Sequence, residues 1–171
     1  READRLQREF EQAAGDLLDS GGAAIEVIGQ ARATYRKLMD KVHGVFIRHI
    51  EKSGWPVLGR LSNIDVFDKL IAPKLLESGR RVAYLMIDAL RYELGVELAK
   101  HLNEAGQIEV QAACAQMPTI TPVGMASLLP GAGQMLKLLN KDGSLSPTLG
   151  DQHIHNVNQR MDVLRKRYGQ R

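Results

Sequence analysis

Apolar positions recur along the first third of the chain with the period of a helix. Over residues 1–18, Leu6, Phe10, Ala13, Ala14 and Leu17 fall three or four apart among charges, and Ser20-Gly21-Gly22 breaks the pattern. From Ala23 to about Lys52 the stripe resumes through Ile25, Ile28, Ala31, Tyr35, Leu38, Val42, Phe46 and Ile50. This predicts one long amphipathic helix, bent near Gly44. Two such helices joined by a short glycine-containing turn predict an antiparallel hairpin over residues 1–53, its stripe being packing surface. Ser53-Gly54-Trp55-Pro56 ends the second helix, and residues 54–79 read as a connector and a helix. That helix starts at Asn63 or Asp65, breaks or kinks at Pro73, and closes at Ser78-Gly79.

The pattern changes at residue 80. Arg81-Val82-Ala83-Tyr84-Leu85-Met86-Ile87 is a nearly continuous apolar run, as expected of a strand buried on both faces of a parallel sheet. A helix is predicted from about Leu90 to Glu104, a second strand over 108–116, and a short helix over Val123–Leu129. Strand, helix, strand, helix is the rhythm of an α/β fold with a parallel sheet. Beyond Gly131 the signal weakens. Gln134–Leu139 reads as a strand, Lys141-Asp142-Gly143 as a turn, and Asp151 or Asn156 as the start of a last helix ending near Tyr168-Gly169.

Composition adds bounds. At 171 residues, 44% hydrophobic and 25% charged, the chain has the make-up of a soluble globular protein. A chain of this size buries roughly two-thirds of its unfolded surface. The formal charge of +3 comes partly from Arg165, Lys166, Arg167 and Arg171, which read as a solvated helix end before a nucleic-acid footprint. The single cysteine, Cys114, allows no intrachain disulfide. No apolar run reaches the ~18 residues that span a bilayer, nothing resembles a signal peptide, and the expected location is cytoplasmic with no membrane partner. Arg1 stands within a charged helical pattern and Arg171 just after another, so both ends read as cuts from a larger protein.

Two residues carry candidate chemistry. Asp88 follows the apolar run, where a carboxylate at the carboxyl end of a strand points into the ligand crevice of an open α/β sheet. It suits a divalent cation there, and equally suits a cap of the following helix. Thr121 precedes Pro122, which favours the first helical position and puts Thr121 at the N-cap. Unpaired N–H groups and the helix dipole favour an alkoxide there; the plain alternative is a cap worth about 1 kcal/mol.

The two blocks together resemble a known family. Met117-Pro118-Thr119-Ile120-Thr121-Pro122, leading through Gly124-Met125-Ala126-Ser127-Leu128-Leu129-Pro130 to Gly131, is similar to the nucleophile segment of the alkaline-phosphatase superfamily, including nucleotide pyrophosphatase/phosphodiesterases. With Asp88-Ala89-Leu90-Arg91-Tyr92-Glu93 before it, the pattern resembles a PglZ domain, found in bacterial phage-defence systems of the Pgl/BREX type. The motif match covers residues 88–131, with looser similarity from Trp55 onward, and makes residues 80–171 the N-terminal part of an alkaline-phosphatase-like domain, preceded by the helical region. The resemblance implies Thr121 as nucleophile and metal ligand, Asp88 as metal ligand, and supporting places for Thr119, Arg91 and Glu93. Arg91 and Glu93 would orient the loop or pair with each other.

It also implies two divalent ions, zinc or similar, in a complete site. The remaining Asp and His ligands of that superfamily lie far downstream of the nucleophile. After Thr121 this chain offers only His153-x-His155, in what reads as a loop or helix entry, and these are taken as surface residues. One carboxylate and one hydroxyl fall short of the ligand number zinc or magnesium requires, so the segment alone is expected to be inactive and to hold no metal. The parent is expected to be a metal-dependent phosphatase or phosphodiesterase acting on a phosphorylated or nucleotide substrate among other defence subunits. The alternative is a non-catalytic scaffold of the complex, with residues 1–52 as docking surface and nucleic acid near the basic end. A dinucleotide fold and a P-loop are excluded, since no glycine-rich turn follows the first strand.

Overall fold

The computed structural model describes residues 1–17, 22–104, 106–141 and 143–169, and the chain divides into two compact units. One comprises Arg1–Trp55 and Arg91–Val110, the other Pro56–Leu90 and Gln111–Arg171.

In the first unit, α1 (Glu2–Leu17) and α2 (Gly22–Ser53) lie side by side and antiparallel. Arg32 pairs with Glu11 at 2.6 Å, and the Tyr35 hydroxyl donates to Asp4 at 3.0 Å. Ala14 and Ile28 are the buried apolar residues of these helices. The expected break at Ser20-Gly21 lies outside the described residues; α2 is continuous across Gly44. Helix α5 (Tyr92–Leu102) joins α1 through Arg8 and Glu93, 2.9 Å apart. Glu93 is buried and Arg8 half-exposed, so the pair ties a low-dielectric carboxylate to a cation in partial reach of water.

In the second unit, the predicted helix over 63–77 is three consecutive pieces: α3 (Asn63–Val66), one π-helical turn (Phe67–Ile71) and α4 (Ala72–Leu76). Pro73 explains the interruption. It has no N–H, and its ring would clash with the Lys69 carbonyl in a regular helix. The wider turn, in which the Ala72 N–H donates to the Phe67 carbonyl, resets the backbone just before it. Phe67 is buried, with the rings of Tyr84 at 5.5 Å and Tyr168 at 5.4 Å.

Residues 81–87 belong to neither helix nor strand, and Tyr84 holds them to this aromatic group. Helices α6 (Thr121–Ser127) and α7 (Ala132–Met135) follow, then strands β1 (Leu136–Lys141), β2 (Ser144–Leu149) and β3 (Gln152–His153), and helix α8 (Val157–Tyr168). The sheet is antiparallel in the order β1-β2-β3, with Leu136 opposite Leu149 and Thr148 opposite His153. Of the expected turn Lys141-Asp142-Gly143, Asp142 lies outside the described residues. Pro147 sits in the middle strand without loss. Its carbonyl accepts from Ile154 on the β3 side, and its ring nitrogen faces the same way, so the β1–β2 ladder loses no donor. Ala126, Leu129, Ala132, Leu149, Ile154 and Val163 form the core, with Met86 against it.

The expected α/β class with a parallel sheet is therefore corrected: helices dominate, and the one sheet among the described residues is small and antiparallel. The two runs expected to build the parallel sheet, 81–87 and 108–116, form no strand ladder. Along 81–87, Val82, Tyr84 and Met86 are half-buried while Ala83, Leu85 and Ile87 are exposed. An apolar run suits a buried strand, but a parallel ladder also needs neighbouring strands brought in by long crossovers. Among the described residues, parallel pairing occurs as the isolated bridge of Ser62 with Cys114. No described helix is long and apolar enough to cross a membrane.

Candidate active site

Asp88 and Thr121, 33 residues apart in sequence, meet in the second unit. The Thr121 hydroxyl donates to the Asp88 carboxylate, with Oγ1 3.2 Å from Oδ2 and 3.4 Å from Oδ1. Both residues are exposed, so the pair faces solvent. Asp88 Oδ1 also accepts from the Ala89 N–H at 2.9 Å. Ala89 has φ of 54°, the left-handed region that an alanine enters at a cost of about 1 kcal/mol. The chain turns sharply there, directly after Asp88.

Tyr84 and α6 bring the two residues together. The Tyr84 hydroxyl donates to the Leu128 carbonyl at 3.1 Å, just past the C-terminal end of α6. Four steps from Tyr84 to Asp88 can reach at most about 13 Å, and the seven steps from Leu128 back to Thr121 rise about 10 Å along a helix. With Tyr84 at the end of α6 and Asp88 at its start, the segment and α6 run in opposite directions, and Asp88 arrives beside the first turn of α6. Burial pushes the Tyr84 phenol up to about 12. That helix is itself anchored, since Val123, Met125, Ala126 and Ser127 are all buried.

Thr121 is the first helical residue; Ile120, with φ −97° and ψ 149°, is the N-cap. The helix starts one residue earlier than Pro122 suggests because the Gly124 N–H already donates to the Ile120 carbonyl at 2.9 Å. Pro122, second in the helix, loses nothing there, where its missing N–H has no intrahelical acceptor. Thr119 is exposed two residues upstream, after the cis Met117–Pro118 bond. At the other end, the Gly131 N–H donates to both Asp68 oxygens, at 2.9 and 3.2 Å. Its φ of 77°, with Met135 and Arg167 crowding the space of a side chain, suits glycine.

Arg91 and Glu93 belong to the other unit, where Glu93 pairs with Arg8. His153 and His155 are exposed, as expected of surface residues; His153 ends strand β3, while His155 stands in the entry to α8, its N–H donating to Gln159 Oε1 at 2.7 Å just before the N-cap Asn156. Sequence reasoning missed Tyr84, Phe67 and Arg8. The only signal for Tyr84 was a lone hydroxyl within an otherwise apolar run, which asks for a partner when buried; for Arg8 there was none.

As a cation site, Asp88 and Thr121 supply oxygen donors of the right kind, and both are open to solvent. Their number is too small, and no group of three or more His, Cys, Asp or Glu side chains that could hold a metal occurs among the described residues. What the pair does by itself is hold a hydroxyl against a carboxylate that can accept its proton.

Comparison with known proteins gives the class of domain as alkaline phosphatase-like. The family model described as BREX system PglZ alkaline phosphatase-like domain matches residues 66–168, more than half of the chain. The chain belongs to this PglZ family. The alkaline phosphatase-like protein PglZ of Bacillus cereus (strain H3081.97) is 24% identical over 151 residues, which covers 78% of this chain. The alignment spans 17% of that relative's own length. No solved structure gives a match.

Proposed function

We propose that this chain contributes the nucleophile half of a metal-dependent phosphoric ester hydrolase in a phage-defence system. The observation that carries it is the Thr121 hydroxyl on the Asp88 carboxylate at 3.2 Å, at an exposed rim. Family membership supports the reaction class and other subunits of the system as partners.

Thr121 Oγ1 attacks phosphorus as its proton passes to solvent water, the bond from phosphorus to the ester oxygen breaks, and the leaving oxygen takes a proton from water. Water then cleaves the phosphothreonine and restores the hydroxyl. Asp88 and Thr121 would hold divalent ions, zinc being the expected metal, which when bound lower the hydroxyl pKa and neutralise phosphate charge. Further ligands come from outside the described residues, so the 171-residue chain alone is inactive. Thr119, two residues before the nucleophile, has a supporting role.

The test uses the full-length protein carrying this segment, with and without Thr121→Ala, on a chromogenic phosphodiester and a monoester with added zinc, manganese or magnesium. Metal-dependent turnover that disappears in the folded variant is expected. A folded wild-type protein with no turnover under any metal overturns it. That outcome would favour a scaffold role, supported by exposed Val42, Val45, Phe46 and Ile47 on α2.

A further inference from the structure

The pair His153 and His155 stands outside the site above. Ile154 between them is fully buried, and its N–H donates to the Pro147 carbonyl at 3.0 Å, continuing the β2–β3 pairing past His153. In an extended segment, alternate side chains share a face, so both imidazoles lie opposite the core. Their rings are 5.9 Å apart and within 10° of parallel. The register that sets Thr148 against His153 brings Ser146 to His155, and Ser146 Oγ lies 2.7 Å from His155 Nε2. Ser146 is nearly buried, which holds the imidazole in one orientation.

We propose that His153 and His155 form a two-histidine chelate for a late divalent transition-metal ion, Zn²⁺ or Cu²⁺, separate from Asp88 and Thr121. In this arrangement His155 donates its Nε2–H to Ser146 Oγ, leaving the Nδ1 lone pair for the metal. A hydrogen bond on the far ring nitrogen is the usual means of fixing the tautomer of a ligating histidine. His153, one strand repeat away on the same face, supplies the second nitrogen, and water completes the coordination. Imidazole suits both ions, and Cu²⁺ binds such sites more tightly.

The test titrates the 171-residue chain with Cu²⁺ and with Zn²⁺ by calorimetry, and records the electron paramagnetic resonance spectrum of the Cu²⁺ form. One ion per chain with two nitrogen ligands is expected. His153→Ala and His155→Ala each weaken binding on the order of tenfold or more, and Ser146→Ala about tenfold. His155→Phe, which keeps a ring over Ser146 without a lone pair, loses the ion while circular dichroism shows the fold intact. His101→Ala and Asp88→Asn leave binding unchanged. Absence of binding, retention of the ion in either histidine variant, or its loss in Asp88→Asn overturns the proposal.

Discussion

Tyr84→Phe removes one oxygen from the contact that holds the segment leading to Asp88. The ring stays edge-on to Phe67, at 5.5 Å and 75°, so packing is preserved, while the hydrogen bond to the Leu128 carbonyl is lost. At neutral pH that loss costs about 1 kcal/mol. The pH dependence is the sharper signature. Burial raises the phenol from 10.0 to about 12, so its neutral form is favoured in the folded state. A group raised in this way contributes its full stability below the unfolded value, and loses it as pH climbs through the folded one. The rise amounts to at most about 2.7 kcal/mol, and water at the half-buried ring screens this to about 1 kcal/mol. Wild type should lead Tyr84→Phe by about 1 kcal/mol near neutrality, with the gap narrowing toward zero as pH rises from about 10 to about 12. Urea titrations followed by circular dichroism at a series of pH values measure the gap, because ionisations common to both proteins cancel in the difference. A gap that stays constant across that range, or is absent at neutrality, refutes the reasoning.

Two further substitutions probe the scaffold around the site. Phe67→Ala empties the space between Tyr84 and Tyr168 and should destabilise the second unit by about 3–5 kcal/mol; a urea-midpoint change worth less than about 1 kcal/mol contradicts its place in the core. Asn156 caps α8 in a reciprocal box, accepting from the Gln159 N–H at 3.0 Å while Gln159 Oε1 accepts from the Asn156 N–H at 3.2 Å. Asn156→Ala should therefore cost about 1 kcal/mol in thermal or urea unfolding, and Asn156→Asp much less.

Local pattern made α1, α2, α5 and α8 legible, because an amphipathic stripe of period 3.6 depends only on neighbours a turn away. It misread 81–87 as a strand, because a continuous apolar run does not by itself supply a neighbour to pair with. β2 escaped notice because Ser144, Ser146, Pro147 and Thr148 carry little strand signal. Ser146, Pro147 and Thr148 are nevertheless buried, by tertiary neighbours that include Ile154 and His155, while Ser144 stays exposed. The π-helical turn was hidden too: Pro73 announces a break, but where a helix absorbs it depends on the packing of Phe67.

What the sequence by itself determined, then, is the helical stretches and the residue types that bear chemistry: a carboxylate at Asp88, a hydroxyl at Thr121, imidazoles at 153 and 155. Each follows from covalent structure and short-range geometry. Tertiary structure alone decided the pairings, Asp88 with Thr121, Arg8 with Glu93 85 positions away, Tyr84 with Leu128, and Ser146 with His155. Closing such long loops costs chain entropy that no local preference repays, so burial within each unit selects them, of Phe67, Leu129 and Ile154 in the second and of Ala14 and Ile28 in the first.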